Sequence, residues 1–338
     1  MKKIVVIILV AFCVIYLVSA PILSGFLVLQ DERKRDDVFV ELWHVDTFEG
    51  GKNSRGEFLK KVAVELNKKN KNEFVVVKTI SEIELVERLK NGKLPEMLSF
   101  GTGLGGVLEE YLVENNVGTG QREWLDECVK KDGKTFATPY AFGGYFLVGK
   151  NKPLIYATGT VLSPLLALYF DGEYSQYTEI EKVEKPSTYE AYLQFIERGG
   201  SLVGTQRDVV RIGNRIDSGK SPDVEIKPLA GFVDMVMAIG LTQIDDPKKL
   251  EASQRFVEYL LSESVQARLF ELRMFPARDI EIYSIPHFSD YEKAIEKPRC
   301  INIFTPNEIL KKNNILAKNA ICGDEKSQKF LEEFFKAS

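Results

Sequence analysis

The sequence predicts an α/β fold, on three observations. Short β-branched apolar runs alternate with segments of helical period, Ser-x-x-Glu pairs stand where a run gives way to a helix, and glycine-containing polar loops follow the runs. Val38 to Trp43 reads as the first strand, ending in the polar loop Asp46 to Gly56. Phe58, Leu59, Val62, Ala63 and Leu66 then recur with helical spacing. Phe74 to Ile80 reads as a buried strand. Ser81 with Glu84 forms a capping box for a helix through Val86 and Leu89, which Gly92 ends. Met97 to Phe100, after Pro95, is a third strand. A β-α-β-α-β order implies a largely parallel sheet with its functional loops at the carboxyl ends of the strands.

A second unit follows Tyr140. Phe146 to Val148 reads as a strand, Ser187 with Glu190 caps a helix, and Ser201 to Gly204 runs into the charged segment Thr205-Gln206-Arg207-Asp208. Asp246-Pro247 opens a helix with apolar positions at Leu250, Phe256, Val257, Leu260 and Leu261. Thr305-Pro306-Asn307-Glu308 reads as a further capping box with proline at the first helical position, and the chain ends in helices.

With 338 residues, 44% hydrophobic and 28% charged, the chain is long enough for two lobes with separate cores. A net charge of -4 and the lack of a dense basic stripe argue against a nucleic-acid partner, and Lys68 to Lys71 reads as solvated turn charge. Lys2 and Lys3 precede an uncharged run from Ile4 to Leu29. As a helix this run would span roughly 39 Å, enough to cross a bilayer, and the two lysines place its start in the cytoplasm. Val18-Ser19-Ala20 resembles a cleavage site, but Pro21 follows it and the apolar run continues, which favours an uncleaved transmembrane anchor. Everything past Gln30 is expected outside the cytoplasm under either reading, with 31–37 as a charged spacer.

Cys128, Cys300 and Cys322 follow the anchor, too few for a disulfide scaffold and without metal-ligand spacing. Cys300 and Cys322 could pair; the alternative is three reduced, buried thiols. His44 and His287 are far apart, so a histidine metal site or a Ser-His-Asp triad has little support. No metal or cofactor is expected.

Three segments carry candidate function. Trp43-His44-Val45-Asp46 ends the first strand, where a ring beside a carboxylate suits a polyol; Trp43 filling the core behind the loop is the competing reading. Gly101-Thr102-Gly103-Leu104-Gly105-Gly106 matches a dinucleotide pattern, but it follows the third strand and lacks the later acid, so the glycines read as room for a ligand or a neighbouring loop. Pro139 to Tyr145 sets Gly143-Gly144 between aromatic residues, the composition of a hinge at a cleft mouth or of a plain turn.

Leu42-Trp43-His44, the helix from Phe58, Gly92 to Pro95 with Ser99-Phe100-Gly101, the Pro139 to Tyr145 crossover and Phe256 to Gln266 together resemble extracellular solute-binding proteins of family 1, which serve ABC importers of sugars and oligosaccharides. The resemblance runs from about Val38 to the C-terminus. It implies a two-lobed periplasmic-binding-protein-like fold with a ligand cleft between lobes, here behind an N-terminal transmembrane helix. Crossings would fall near Tyr140 and Gly231, with 38–142 and 232–295 as lobe 1 and 143–231 and 296–338 as lobe 2. It implies ligand contacts at Trp43, His44, Asp46, Thr102, Gly103, Tyr140, Tyr145, Arg207, Asp208 and Asp234, although Arg207, Asp208 and Arg211 also read as an internal salt-bridge network. The implied partners are a sugar-like small solute and the transmembrane subunits of an ABC permease. Two departures stand out: Asn151 to Pro186 is shorter than in the family, and the lipid-anchor cysteine is missing.

The expected role is therefore solute capture without chemistry. A membrane-anchored sensor or adaptor is the alternative. A glycoside hydrolase using Asp46 or Glu49 with Asp208 would need carboxylates facing each other at roughly 5 to 9.5 Å, which nothing in the sequence imposes.

Overall fold

The structure, a computed structural model, describes residues 37–46, 54–70, 72–118, 121–159, 161–280 and 287–337. The expected anchor, the spacer and Glu49 lie outside the described residues, apart from Asp37; among those described, no helix is long and apolar enough to cross a membrane.

The described residues begin with β1 (Val38–Asp46), α1 (Arg55–Lys69), β2 (Glu73–Ser81), α2 (Glu82–Lys90) and β3 (Met97–Gly101), the predicted β-α-β-α-β unit. β4 (Thr138–Phe142) follows. Then come β5 (Tyr145–Val148), β6 (Leu154–Ala157), α3 (Pro164–Phe170), β7 (Lys182–Lys185), α4 (Thr188–Arg198), β8 (Ser201–Thr205), α5 (Gln206–Asp217) and β9 (Ile226–Leu229). The chain continues through β10 (Phe232–Val233), β11 (Val236–Leu241), α6 (Pro247–Leu260), β12 (Phe275–Pro276), α7 (Phe288–Ala294), β13 (Arg299–Cys300), α8 (Asn307–Ile321) and α9 (Glu325–Ala337).

Two mixed sheets organise the molecule. The first runs β12-β4-β11-β3-β1-β2, with β1 parallel to β2 and β3, and β11 antiparallel to β3 and β4. The second runs β9-β5-β8-β6-β7. The chain passes from the first sheet to the second at Gly143-Gly144, between β4 and β5, and returns between β9 and β11. A third strand joins the hinge: β13 pairs parallel with β10, Phe232 opposite Arg299 and Val233 opposite Cys300.

Local chemistry explains the helix starts. Ser54, Ser81 and Ser187 accept from the N–H of Glu57, Glu84 and Glu190, and Asp246 accepts from Lys248 at 2.9 Å. The apolar stripe predicted for α1 is the one buried: Phe58, Leu59, Val62, Ala63 and Leu66. Two expectations need correction. β2 is an edge strand, so only Val75 and Ile80 along it are buried. Pro306 is the residue before α8, not its first, and no side chain caps that end.

Each sheet has a private core, and a third apolar cluster spans both. Val40, Met97, Tyr140 and Phe256 belong to the first lobe's core, and Leu154, Tyr156, Leu166 and Leu310 to the second's. The shared cluster crosses the hinge as a chain of rings: Phe142 stacks on Phe275 at 5.2 Å, Phe275 on Tyr291 of α7 at 4.7 Å, and Tyr291 meets Phe146 of β5 at 5.3 Å. The expectation of fully separate cores therefore fails at the hinge, where packed aromatics replace a loose crossover. Cys128 and Cys300 form a disulfide that fastens the third hinge strand to the segment after Glu123–Glu127. Cys322, the alternative partner, is exposed and free.

Candidate functional site

A cavity of about 110 Å³ lies between the two lobes, walled by residues of both. From the first come Arg55, Thr102, Met237 and Met274; from the second, Thr188, Gln206 and Arg207; from the returning crossover, Asp234 and Met235. It sits where β3 and β8 end, as expected for carboxyl-end loops.

Sequence places these side chains by close packing. Gly56 allows α1 to begin against the sheet: a Cβ there would lie 2.3 Å from Thr79 Oγ1 and 3.2 Å from the His44 ring. Arg55, the first residue of α1, is held beside the cavity and contacts the Met237 sulfur. Gly105 lets the loop after β3 lie on the backbone of Ile303, where a Cβ would come within 2.2 Å of the carbonyl oxygen. The glycine-rich segment thus serves close chain approach. Gly143 and Gly144 are equally constrained. Gly143 donates to Met235 O, Gly144 accepts from Gln206 N and donates to Gln206 Oε1, and a Cβ on Gly144 would strike the Tyr291 ring at 2.3 Å. Gln206 therefore joins the first crossover to the start of α5.

Of the ten predicted contacts, Thr102, Arg207 and Asp234 line the cavity. Thr102 is 7% exposed, and its hydroxyl has no hydrogen-bond partner among the described residues. The buried Asp234 carboxylate accepts from Tyr145 Oη at 2.8 Å and from Ser163 N at 2.6 Å; burial pushes it up to about 7. Arg207 is held below the usual guanidinium range by burial and by neighbouring Arg211. Arg55 is pushed down to about 10, chiefly by burial and further by Arg207, while the Asp46 carboxylate at the end of β1 favours the charged form of both arginines.

The other predicted residues lie elsewhere. Trp43 is 2% exposed and packs away from the cavity, its Nε1 donating to Glu41 at 2.8 Å and its face covered by Arg88 of α2. His44, Ser99 and Tyr140 form a buried polar row across β1, β3 and β4, with successive contacts of 3.0 Å; burial pushes His44 down to about 3, so it is neutral. Tyr145 is buried in the second lobe and spends its hydroxyl on Asp234. Gly103, at φ 97°, abuts Val161 and Asn307 of the opposite lobe. Asp208 caps α5: its carboxylate accepts from Thr205 N at 2.9 Å, from Thr205 Oγ1 at 2.8 Å and from Arg211 at 3.0 Å. The Asp208–Arg211 half of the expected salt-bridge network is thus present.

Arg55, Thr188, Gln206 and three methionines were missed. The signal for Arg55 was its place, first in a Ser-capped helix after a strand that ends at the site. No aromatic side chain of the described residues lines the cavity, so Trp43, Tyr140 and Tyr145, expected as ligand contacts, are not among its walls.

No protein-family model matches the sequence, and a search of characterised proteins finds no significant match. Solved structures do match. The GacH receptor of Streptomyces glaucescens superposes with a TM-score of 0.61 at 14% identity, over 89% of this chain and 97% of that one. A maltodextrin-binding protein of L. casei gives 0.61 at 12%, over 89% and 98%. The galacto-N-biose-/lacto-N-biose I-binding protein of a Bifidobacterium longum ABC transporter gives 0.56 at 12%, over 89% and 98%. At such identities the likeness defines the fold: a two-lobed, periplasmic-binding-protein-like α/β architecture.

Proposed function

We propose that the chain is the extracytoplasmic solute-binding component of an ABC importer, capturing a sugar-like solute between its lobes and doing no chemistry on it. The observation that carries this reading is the cavity at the carboxyl ends of β3 and β8, walled by both lobes, in a fold shared with binding proteins and a receptor. Residues 38–142 with 232–295 form one lobe and 143–231 with 296–338 the other. A ligand touching both favours the closed arrangement, because only differential affinity shifts such an equilibrium. The Cys128–Cys300 disulfide fits an oxidising, extracytoplasmic compartment, as does the N-terminal apolar run read as an anchor.

The test is a thermal-shift screen of the full chain in detergent against sugars, oligosaccharides, peptides and anions. A true ligand at one hundred times its Kd stabilises by about 2.7 kcal/mol, and it is recovered unaltered after incubation. Turnover of an oligosaccharide by the purified chain would overturn the reading.

A further inference from the structure

Resting on the reading of the interlobe cavity as the ligand site, we infer that the captured solute is anionic: a small, hydroxylated molecule carrying a carboxylate or phosphate, held between Arg55 of one lobe and Arg207 of the other.

Three helix starts meet at this cavity. Arg55, Thr188 and Gln206 are the first residues of α1, α4 and α5, which run for 15, 11 and 12 residues, and all three line it. Each start brings the positive end of a helix dipole to the cavity, which favours an anion. Two of the three bring a guanidinium with them, from opposite lobes. A second, independent feature points to a ligand. Thr102 lines the cavity, and its buried hydroxyl has no partner among the described residues; a bound acceptor reaching it would satisfy it.

Among the described acidic groups, Asp208 is spent on the α5 cap and Arg211, and the buried Asp234 is bonded to Tyr145 and Ser163. Asp46 lies near both arginines, where it favours their charged forms and offsets part of their charge. Arg273 adds positive charge close to Arg207 and Arg211, in a left-handed backbone conformation at φ 55°.

The described lining and the size of the cavity agree. Methionine and arginine are prominent in its lining. Its volume of about 110 Å³ is well under the roughly 300–1,000 Å³ of sites for larger ligands.

The experiment is calorimetric titration of the full chain in detergent with galacturonate, glucose 6-phosphate, galactose and maltotriose. It is repeated with Arg207→Gln, Arg207→Lys and Thr102→Val, whose folding is checked by melting temperature. We expect at least one anionic probe to bind at least ten-fold more tightly than either neutral sugar. That affinity should fall at least ten-fold in Arg207→Gln, recover in part in Arg207→Lys, and weaken in Thr102→Val without loss of thermal stability. The comparison of uronate with sugar phosphate identifies the anionic group. Neutral sugar binding as tight as acid binding, with Arg207→Gln unchanged, overturns the inference and leaves solute capture standing. Binding of none of the four also overturns the inference and leaves solute capture to be decided by the wider screen.

Discussion

Asp234 is the residue on which hinge and cavity both depend. It stands between β10 and β11, where the chain returns to the first lobe, and its two bonds reach Tyr145 of β5 and Ser163 ahead of α3. Burial raises its pKa from 3.8 to about 7, so the folded protein keeps a proton that the unfolded chain releases at lower pH. The associated stabilisation is complete below pH 3.8 and is lost as the pH rises through about 7. Wild type should therefore lose stability relative to Asp234→Asn between about pH 4 and 7, measured by urea unfolding at each pH. A difference that stays flat across that window contradicts the assignment.

Residue identity alone misplaced the aromatics. Trp43, Tyr140 and Tyr145 stand at strand ends, and whether such a ring faces a cleft or a core depends on what packs against each face. For Trp43 that neighbour is Arg88 of α2; for Tyr140 it is Ser99 of β3. Neither partner is legible from the local sequence. Of the charged candidates, Arg207 and Asp234 line the cavity, whereas Asp208 is taken up by the α5 cap and Arg211.

At the scale of elements, caps and apolar stripes carried most of the information. The run from β1 to β3 was legible from the helical spacing that begins at Phe58, Ser81 at the start of α2 and Gly92, at φ 66°, after it; the Ser54 cap of α1 was not read. The start of α5 was not read as a cap, since its Asp208 looked like a ligand contact. The two kinds of cap differ in what they satisfy. Ser187 accepts one N–H, from Glu190, whereas Asp208 accepts from Thr205 twice and from Arg211. Ser187→Ala should therefore cost about 1 kcal/mol. Asp208→Ala, which strands a buried N–H and removes the Arg211 partner, should cost about 2–3 kcal/mol. Urea midpoints at constant slope check this; equal losses would mean that the Asp208 network adds nothing beyond an ordinary cap.

The molecule as a whole is two lobes that share a seam. Each has its own core, yet the rings of Phe142, Phe275, Tyr291 and Phe146 run between them, and the Cys128–Cys300 disulfide fastens the third crossing strand. The disulfide joins residues 172 positions apart, a separation at which spacing says nothing about pairing. Closure around a solute is therefore expected to pivot about these rings.

Capture by closure of that cleft is the central claim, and an interlobe distance tests it most directly. Spin labels at Glu57→Cys on α1 and Glu190→Cys on α4, in a Cys13→Ser, Cys322→Ser background, stand in the first turns of two helices that begin at the cavity from opposite lobes. With a saturating ligand from the screen, their distance distribution should shift to shorter values and narrow. A distribution unchanged by that ligand would contradict closure around a solute.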